Sequence, residues 1–431
     1  MYEIPNLLFA DRQGNIYDHP HLKMTVRSEN YNFVPYEIEL IELPASSRLF
    51  FVPDTHPHAY NPDTAGMEVF TGGYAVSAFL DPGYLRLFLP SFKKLSDVIL
   101  PMYAYTAVGW LNGKFVVPAI KVDDDSKWNP KNFDYTDKFK EVVDAKLEQF
   151  PKNRVYKQLS KCALEYHCTA AKNAFIGRWE CPLPTAPTCN SRCLGCISLQ
   201  EDKRIESPQQ RLKFVPKVNE IVEVALNHYE VAEEPIVSFG QGCEGDPIMT
   251  ADVIAKAVTI IKKKAPDLTV NFNSNCSNPE KMKMLFDAGL DSIRVSINSV
   301  VHSTYESYYQ PVGYSLDNVL QSIELANSYK VYTALNLLTI PGVNDRESET
   351  ETMLDFLNAY EIDLIQLRNL NIDPDFLFDK LKFKKEEILG IKNMLKLIKK
   401  KKKTIKFGYF NRTRENFHKD LGLPDLKRRG K

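Results

Sequence analysis

The sequence predicts a mixed α/β chain: a partial (β/α)6, TIM-like barrel flanked by a β-rich N-terminal domain and a basic C-terminal extension. Three observations lead there. From about residue 178 short apolar runs alternate with amphipathic stretches, the rhythm of a parallel sheet built through right-handed crossovers. Before residue 125 short apolar runs are separated by turn residues alone. After residue 380 the chain turns strongly basic.

Residues 1–125 read as the β-rich domain. Asn6 to Phe9, Glu37 to Ile41 and Arg48 to Val52 are short apolar runs divided by turns at Gln13-Gly14 and Gly72-Gly73. Val98 to Ile120 is the most apolar stretch, but Pro101, Lys114 and Pro118 argue against a membrane span. Asn112-Gly113 predicts a hairpin turn within it. Residues 126–177 read as a helical connector, with helical patterns over Thr136 to Phe150 and Val155 to Ala171.

Residues 178–379 carry strand-like runs at Cys181–Thr185, Ile236–Phe239, Leu268–Phe272, Ser292–Ile297, Tyr332–Leu338 and Leu364–Leu367. Helical patterns near 208–229, 250–264, 279–288, 315–329 and 348–360 lie between them. Residues 380–431 read as a basic α/β extension, a Lys-rich helix followed by a strand at Thr404–Phe410.

The chain has 431 residues and 55 basic against 55 acidic side chains, which excludes a uniformly basic nucleic-acid binder. The neutrality is an average: residues 1–150 balance at −6, residues 151–379 at −8 and residues 380–431 at +14. A local RNA-binding surface is thereby confined to the C-terminal end, where a solvated lysine face is the simpler meaning. No signal peptide is legible at Met1 to Pro5, and the expected location is the cytoplasm.

All eight cysteines fall between Cys162 and Cys276, a clustering that points to metal or redox chemistry rather than a disulfide framework. Cys189, Cys193 and Cys196 form a C-x3-C-x2-C run directly after the first barrel strand. Three thiolates on one loop leave a four-iron cluster one protein ligand short, because such clusters normally take four cysteines. A zinc loop with a fourth ligand elsewhere, or three unrelated buried cysteines, are the competing readings. Cys162, Cys168, Cys181 and Cys243 show no ligand spacing and read as buried free thiols. His19-Pro20-His21 and His56-Pro57-His58 read as surface turns, with a divalent metal site as the sharper alternative.

At the cysteine loop the sequence resembles the radical S-adenosylmethionine (SAM) superfamily. That resemblance implies a [4Fe–4S] cluster on Cys189, Cys193 and Cys196, whose fourth iron binds the amino and carboxylate groups of SAM. It implies reductive cleavage of SAM to methionine and a 5′-deoxyadenosyl radical that takes hydrogen from a substrate. A low-potential donor such as ferredoxin or flavodoxin is implied too. The aromatic residue common before the third cysteine is here Gly195.

Four later segments match in order. Glu244-Gly245-Asp246-Pro247 resembles the family's G-G-E-P segment, which implies SAM contacts at Gly245 and Asp246. Ser274-Asn275-Cys276-Ser277 stands where the family has T-N-G-T, and implies carboxylate contacts at Ser274 and Asn275; the plain alternative is a helix cap before Pro279. Arg294, Ser296 and Asn298 alternate with apolar residues and so share one strand face, where the family contacts ribose or carboxylate. Leu338 to Asp345 resembles the adenine-binding pattern G-x-I-x-G-x-x-E through Ile340, Gly342 and Asp345. On the sixth strand Gln366, Arg368 and Leu370 share a face, with Arg368 or Asn369 expected to anchor an acidic group. The ring-rich segment His302 to Pro311 reads as lid packing. The substrate class stays open among peptides, nucleic acids and small metabolites; a non-catalytic iron–sulfur or zinc protein is the alternative of a different class.

Overall fold

The computed structural model describes residues 3–35, 40–133, 138–419 and 423. Glu37 to Glu39, Thr136 and the basic residues from 424 onward lie outside the described residues.

The predicted hairpin forms where expected. Gly109–Leu111 pairs with Lys114–Val117, and Asn112 and Gly113 take φ of 51° and 78°, the left-handed pair that a tight two-residue turn requires. Asn6–Ala10 is the middle of this N-terminal sheet, antiparallel to Ile16–Met24, Tyr74–Phe79 and Gly109–Leu111. The connector holds three helices, α1 (Lys138–Gln149), α2 (Arg154–Leu164) and α3 (Thr169–Ile176). The single helix expected over Val155 to Ala171 is thus two. It breaks at His167, which has φ 52°.

The C-terminal part is one sheet of seven parallel strands, each paired with its neighbour in the chain: β1 (Arg178–Pro182), β2 (Glu233–Phe239), β3 (Thr269–Ser274), β4 (Ser292–Ile297), β5 (Tyr332–Thr339), β6 (Leu364–Asn369) and β7 (Lys406–Gly408). The count corrects the expected six. The strand assigned to the extension joins the same sheet, with Ile365 beside Phe407. Between and after the strands run α4 (Val218–Val231), α5 (Ala251–Lys264), α6 (Pro279–Ala288), α7 (His302–Tyr309), α8 (Leu316–Ser328), α9 (Glu347–Ala359), α10 (Pro374–Lys380) and α11 (Ile391–Lys401). On α11, Ile391, Met394, Leu395 and Ile398 are buried, and the terminal lysines point largely outward.

Period-two alternation in the strands explains both faces of the sheet. Val270, Phe272, Ile293, Val295, Ile297, Leu335 and Ile365 are fully buried within the main apolar core. The residues between them are Asn271, Asn273, Arg294, Ser296, Asn336, Gln366 and Arg368. A closed barrel fills its interior with branched apolar side chains; this half-barrel lines its concave side with polar ones.

The N-terminal domain is fastened across the open side. Arg86, buried, donates to the Leu370 carbonyl at 2.6 Å and the Tyr105 carbonyl at 3.1 Å, while Asn369 bonds the backbone of Tyr84 and Arg86 at 2.9 and 3.0 Å. Asp123 takes both a bidentate Arg412 contact, at 2.7 and 2.8 Å, and the Tyr409 amide at 2.8 Å. Asn369, expected as a candidate anchor, is therefore committed to this junction.

Candidate active site

The three cysteines lie on the loop that leaves β1, each partly buried and each a free thiol. Two backbone bonds fix the loop to the end of α7: the Arg192 and Leu194 amides donate to the carbonyls of Tyr309 and Tyr308, both at 3.0 Å. Ser191 Oγ lies 2.7 Å from the Tyr314 hydroxyl. Arg211 Nη2 sits 3.4 Å from Cys196 Sγ, a contact suited to a thiolate. Burial pushes the Cys189 thiol up to about 11, with Asp246 adding to it. Burial raises Cys193 further, and the neighbouring thiols Cys189 and Cys196 contribute.

The aromatic segment is the α7 helix, and its rings are packed rather than presented: Tyr305, Tyr308 and Tyr309 are at most 4% exposed. Tyr308 stands over Gly195. Its hydroxyl accepts the Gly195 amide and lies 2.7 Å from where a Cβ on Gly195 would be. A side chain at 195 would meet that hydroxyl, which explains why glycine replaces the usual aromatic here.

The loop after β2 grips the cysteine loop from the other side through Glu244, which is 4% exposed. Its carboxylate accepts the Thr185, Ala186, Gln241 and Gly240 amides at 2.6, 2.7, 2.8 and 3.0 Å. Burial raises this carboxyl to about 7 against the opposing pull of those amides. Gly245 and Asp246 donate their amides to the Ala186 and Thr188 carbonyls at 2.7 and 3.1 Å. A Cβ on Gly245 would fall 1.9 Å from the Thr188 oxygen, so glycine is obligatory there.

Asp246 faces the third loop. Its carboxylate accepts Ser274 Oγ at 2.6 Å, the Asn275 amide at 2.7 Å and the Ile248 amide at 3.0 Å. Asn275 in turn reaches the cysteine loop, at 2.8 Å from Asn190 Oδ1 and 3.1 Å from Ser191 Oγ. The helix cap of α6 is Asn278, which accepts the Lys281 amide at 2.9 Å, so Ser274 and Asn275 are free of that task. Cys276 has φ 52°, a left-handed backbone that accounts for the glycine usual at this place.

The remaining expected residues divide into two groups. Arg294 and Arg368 face the concave side of the sheet. Gln366 Oε1 accepts Arg368 Nη2 at 2.8 Å and Arg294 Nη1 at 3.3 Å, and Asn336 Oδ1 accepts Arg368 Nε at 3.1 Å. A chain of side-chain bonds continues from Gln366 to Asn411 at 3.0 Å, Asn411 to Glu180 at 2.7 Å and Glu180 to Ser238 at 2.6 Å. Burial, then the like charge of Arg368, lowers Arg294 to about 9. Ser296 lies on the same strand face. Asn298 follows the end of β4 and donates to the Thr304 carbonyl at 3.2 Å, leaving its buried Oδ1 without a partner.

Ile340, Gly342 and Asp345, at the exit of β5, are buried. Glu29 of the N-terminal domain occupies the space in front of Gly342, its amide nitrogen 2.5 Å from a Cβ position there. Arg346 is 1% exposed, pairs with the Glu29 carboxylate and lies 4.4 Å from the Phe383 ring centroid. Asp345 accepts the Gly342 amide at 2.7 Å on one oxygen, while the other is buried and unpartnered.

Several contributors carry no signal of their own in the sequence: Glu244 is legible only as part of its motif and Tyr308 only as one ring of its segment, Arg211 and Asn411 stand in no pattern, and strand alternation alone marks Glu180. The His-Pro-His segments, expected as turns, lie within the strands Ile16–Met24 and Thr55–Asn61, where His21 pairs with Asp63 at 2.9 Å and His58 contacts Ser91 at 3.0 Å. Among the described residues, no three His, Cys, Asp or Glu side chains are gathered as ligands of one metal ion, the three loop cysteines included.

Residues 183–357, from the end of β1 through α9, match the Radical SAM superfamily model. The chain carries a radical SAM domain. A [4Fe–4S] cluster and SAM are the cofactors that this domain implies. The radical SAM segment is similar to an uncharacterised protein of Methanocaldococcus jannaschii, with 26% identity over 42% of this chain and 68% of that one. It is also similar to GTP 3',8-cyclase of Limosilactobacillus fermentum, with 25% identity over 49% of this chain and 58% of the cyclase. Among solved structures, methylornithine synthase (PylB) aligns with a TM-score of 0.39 and 13% identity, over 55% of this chain and 68% of that chain.

Proposed function

We propose that the chain is a radical SAM enzyme in which Cys189, Cys193 and Cys196 hold a [4Fe–4S] cluster and the loops after β2 and β3 hold SAM. When bound, such a cluster supplies the single electron that cleaves SAM to methionine and a 5′-deoxyadenosyl radical. The observation that carries the reading is the cross-bracing of three loops at the carboxyl ends of β1, β2 and β3. Glu244 ties the first two loops, and Asp246 and Asn275 tie the second to the third and the third to the first.

The loop offers three free thiols, one short of the four cysteines that a four-iron cluster normally takes, which would leave one iron open to SAM. Arg211 offers positive charge to the Cys196 sulfur. Asp246 and Ser274 offer polar contacts to the amino-acid end of SAM, and Asn298, with its unpartnered Oδ1, a contact to a hydroxyl. Ser296, Ile340, Gly342 and Asp345 complete the assigned SAM pocket. Arg294, expected as a SAM contact, is instead assigned with Arg368 to the substrate side, because both line a cavity that none of the three cysteines lines.

The reading includes a division at 1–125, 126–177 and 178–379, with 380–431 adding its strand to the barrel sheet, and with it a ferredoxin- or flavodoxin-like electron donor and a reducing cytoplasm. Among the described residues no helix is long and apolar enough to cross a membrane. The test is anaerobic reconstitution, iron and sulfide analysis, then reduction with dithionite in the presence of SAM. About four irons per chain and formation of 5′-deoxyadenosine are expected. Zinc in the isolated protein, with no deoxyadenosine, overturns the reading.

A further inference from the structure

The concave side of the sheet and the N-terminal domain enclose a cavity of about 1170 Å³. None of the three cysteines lines it, and neither do Asp246, Ser274 or Asn275. Its floor is polar, formed by Glu180, Gln241, Asn273, Arg294, Arg368 and Asn411. Its opposite wall is aromatic and comes from the N-terminal domain and connector, including Phe50, Phe51, Phe79, Tyr103 and Trp128.

Charge on the floor is unbalanced. Arg294 and Arg368 share one amide oxygen, Gln366 Oε1, and among the described residues neither forms an ion pair. Arg294 Nε is buried without a hydrogen-bond partner. The carboxylate within electrical reach of Arg294 is Glu180, and its Oε1 already accepts Ser238 and Asn411. Over the whole cavity Arg48, Lys172, Arg294 and Arg368 face Asp81 and Glu180. Two guanidinium groups held together in a low-dielectric lumen repel each other unless an anion lies between them.

The wall shows the opposite anomaly. Phe51, Phe79 and Tyr103 are 39, 36 and 49% exposed, although large apolar rings are normally covered. Phe50 and Tyr103 stand 5.3 Å apart, and Phe79 and Tyr103 6.4 Å apart, as a continuous ring surface across from the arginines. On the floor side, Tyr409 lies 3.8 Å beneath the Arg368 guanidinium and holds it flat.

We infer that this cavity takes a small ring-bearing anion, its carboxylate or phosphate on Arg294 and Arg368 and its ring against the Phe50–Phe79–Tyr103 wall. The inference rests on the radical SAM reading for its catalytic meaning, and it names the substrate class of that enzyme. An aryl carboxylate and a nucleoside monophosphate share this chemistry, and the two are separated by the probes below.

The test is calorimetric titration of the anaerobically reconstituted full chain with 4-hydroxyphenylacetate and with GMP. Tyramine and p-cresol serve as cationic and neutral ring controls, and acetate as an anion without a ring. At least one of the two ring anions is expected to bind about tenfold or more tighter than every control. Arg368→Gln is expected to weaken that probe about tenfold, Arg368→Lys much less, and Tyr103→Ala severalfold. Circular dichroism of each variant shows that folding is intact. Should neither ring anion bind at millimolar concentration, or should tyramine bind as tightly, the inference fails. Equal affinity in a folded Arg294→Gln/Arg368→Gln variant also defeats it. Deoxyadenosine formed without ring-anion binding defeats this inference alone; ring-anion binding without deoxyadenosine defeats the radical SAM reading alone.

Discussion

The Glu244 carboxylate lies 2.6 Å from the Thr185 amide nitrogen, and this contact closes the base of the cysteine loop onto the loop after β2. Three further amides converge on the same carboxylate. Replacing it with alanine leaves four donors in a site that is 4% exposed. A buried donor without a partner costs about 1–3 kcal/mol, so Glu244→Ala is expected to lower stability by at least about 3 kcal/mol. Glu244→Gln keeps the shape and one acceptor and is expected to lose less. Urea unfolding of the two variants, read beside iron content after reconstitution, checks the ranking. Glu244→Ala with unchanged stability and full iron would show that the bracing is unimportant.

Much of the sheet was legible because its apolar positions repeat with period two and its helices end on caps and glycines. Ser292–Ile297 and Pro279–Ala288 appear with the bounds read from the sequence. The seventh strand was legible as a strand but not as a member of this sheet. Pairing with β6 is a long-range choice that three residues, Lys406 to Gly408, do not encode locally. At the site, the cysteine spacing and the order of the matching loops were visible in the chain. The position of Tyr308 over Gly195 was not, because residues more than a hundred apart meet only after the fold forms. The packing of Glu29 on Gly342 was hidden for the same reason.

Gly245 has no room for a side chain. A Cβ would sit 1.9 Å from the Thr188 carbonyl oxygen and 3.1 Å from the Cys189 nitrogen, and both belong to backbone that cannot swing aside. Gly245→Ala is expected to push the cysteine loop outward at a cost of about 1–3 kcal/mol. Bound iron is expected to fall more sharply than the melting temperature. An alanine variant that reconstitutes fully would mean that the loop can shift without harm to the thiol arrangement.

Arg346 and Glu29 form a buried ion pair between barrel and N-terminal domain, 1% and 4% exposed at their side chains. Removing one partner strands the other charge, which typically costs about 3–5 kcal/mol. Glu29→Gln is expected to destabilise the chain by about that much, whereas a Glu29→Gln/Arg346→Met double variant recovers part of the loss. Denaturant unfolding of the three proteins gives the coupling directly. Additive single effects would show that the pair is not an energetic unit.

Asp345 gives a pH signature of definite sign. Burial raises its carboxyl from an ordinary 3.8 to about 7. Between those values the folded chain holds a proton that the unfolded chain has released. Stability from this group is therefore full below about pH 4 and declines as pH rises to about 7. At the limit the loss is about 4 kcal/mol. Asp345→Asn is expected to flatten the slope of unfolding free energy between pH 5 and pH 7. An unchanged slope in the variant would assign that dependence elsewhere.

Gly195 and Tyr308 form a complementary pair that a double-mutant cycle can isolate. The Tyr308 hydroxyl stands 2.7 Å from the Cβ position of Gly195, and the next atom, Leu370 Cδ1, is at 3.1 Å. Gly195→Ala alone must displace a hydroxyl that is buried and bonded to the residue's own amide, at about 1–3 kcal/mol. Tyr308→Phe removes the obstructing oxygen and leaves that amide without its acceptor, at about 1 kcal/mol. Together the two changes relieve the clash, so the double variant is expected to be more stable than the sum of the singles by about 1 kcal/mol or more. Strict additivity in thermal or urea unfolding would mean that the ring moves aside freely. In that case the glycine at 195 would have to be explained by something other than Tyr308.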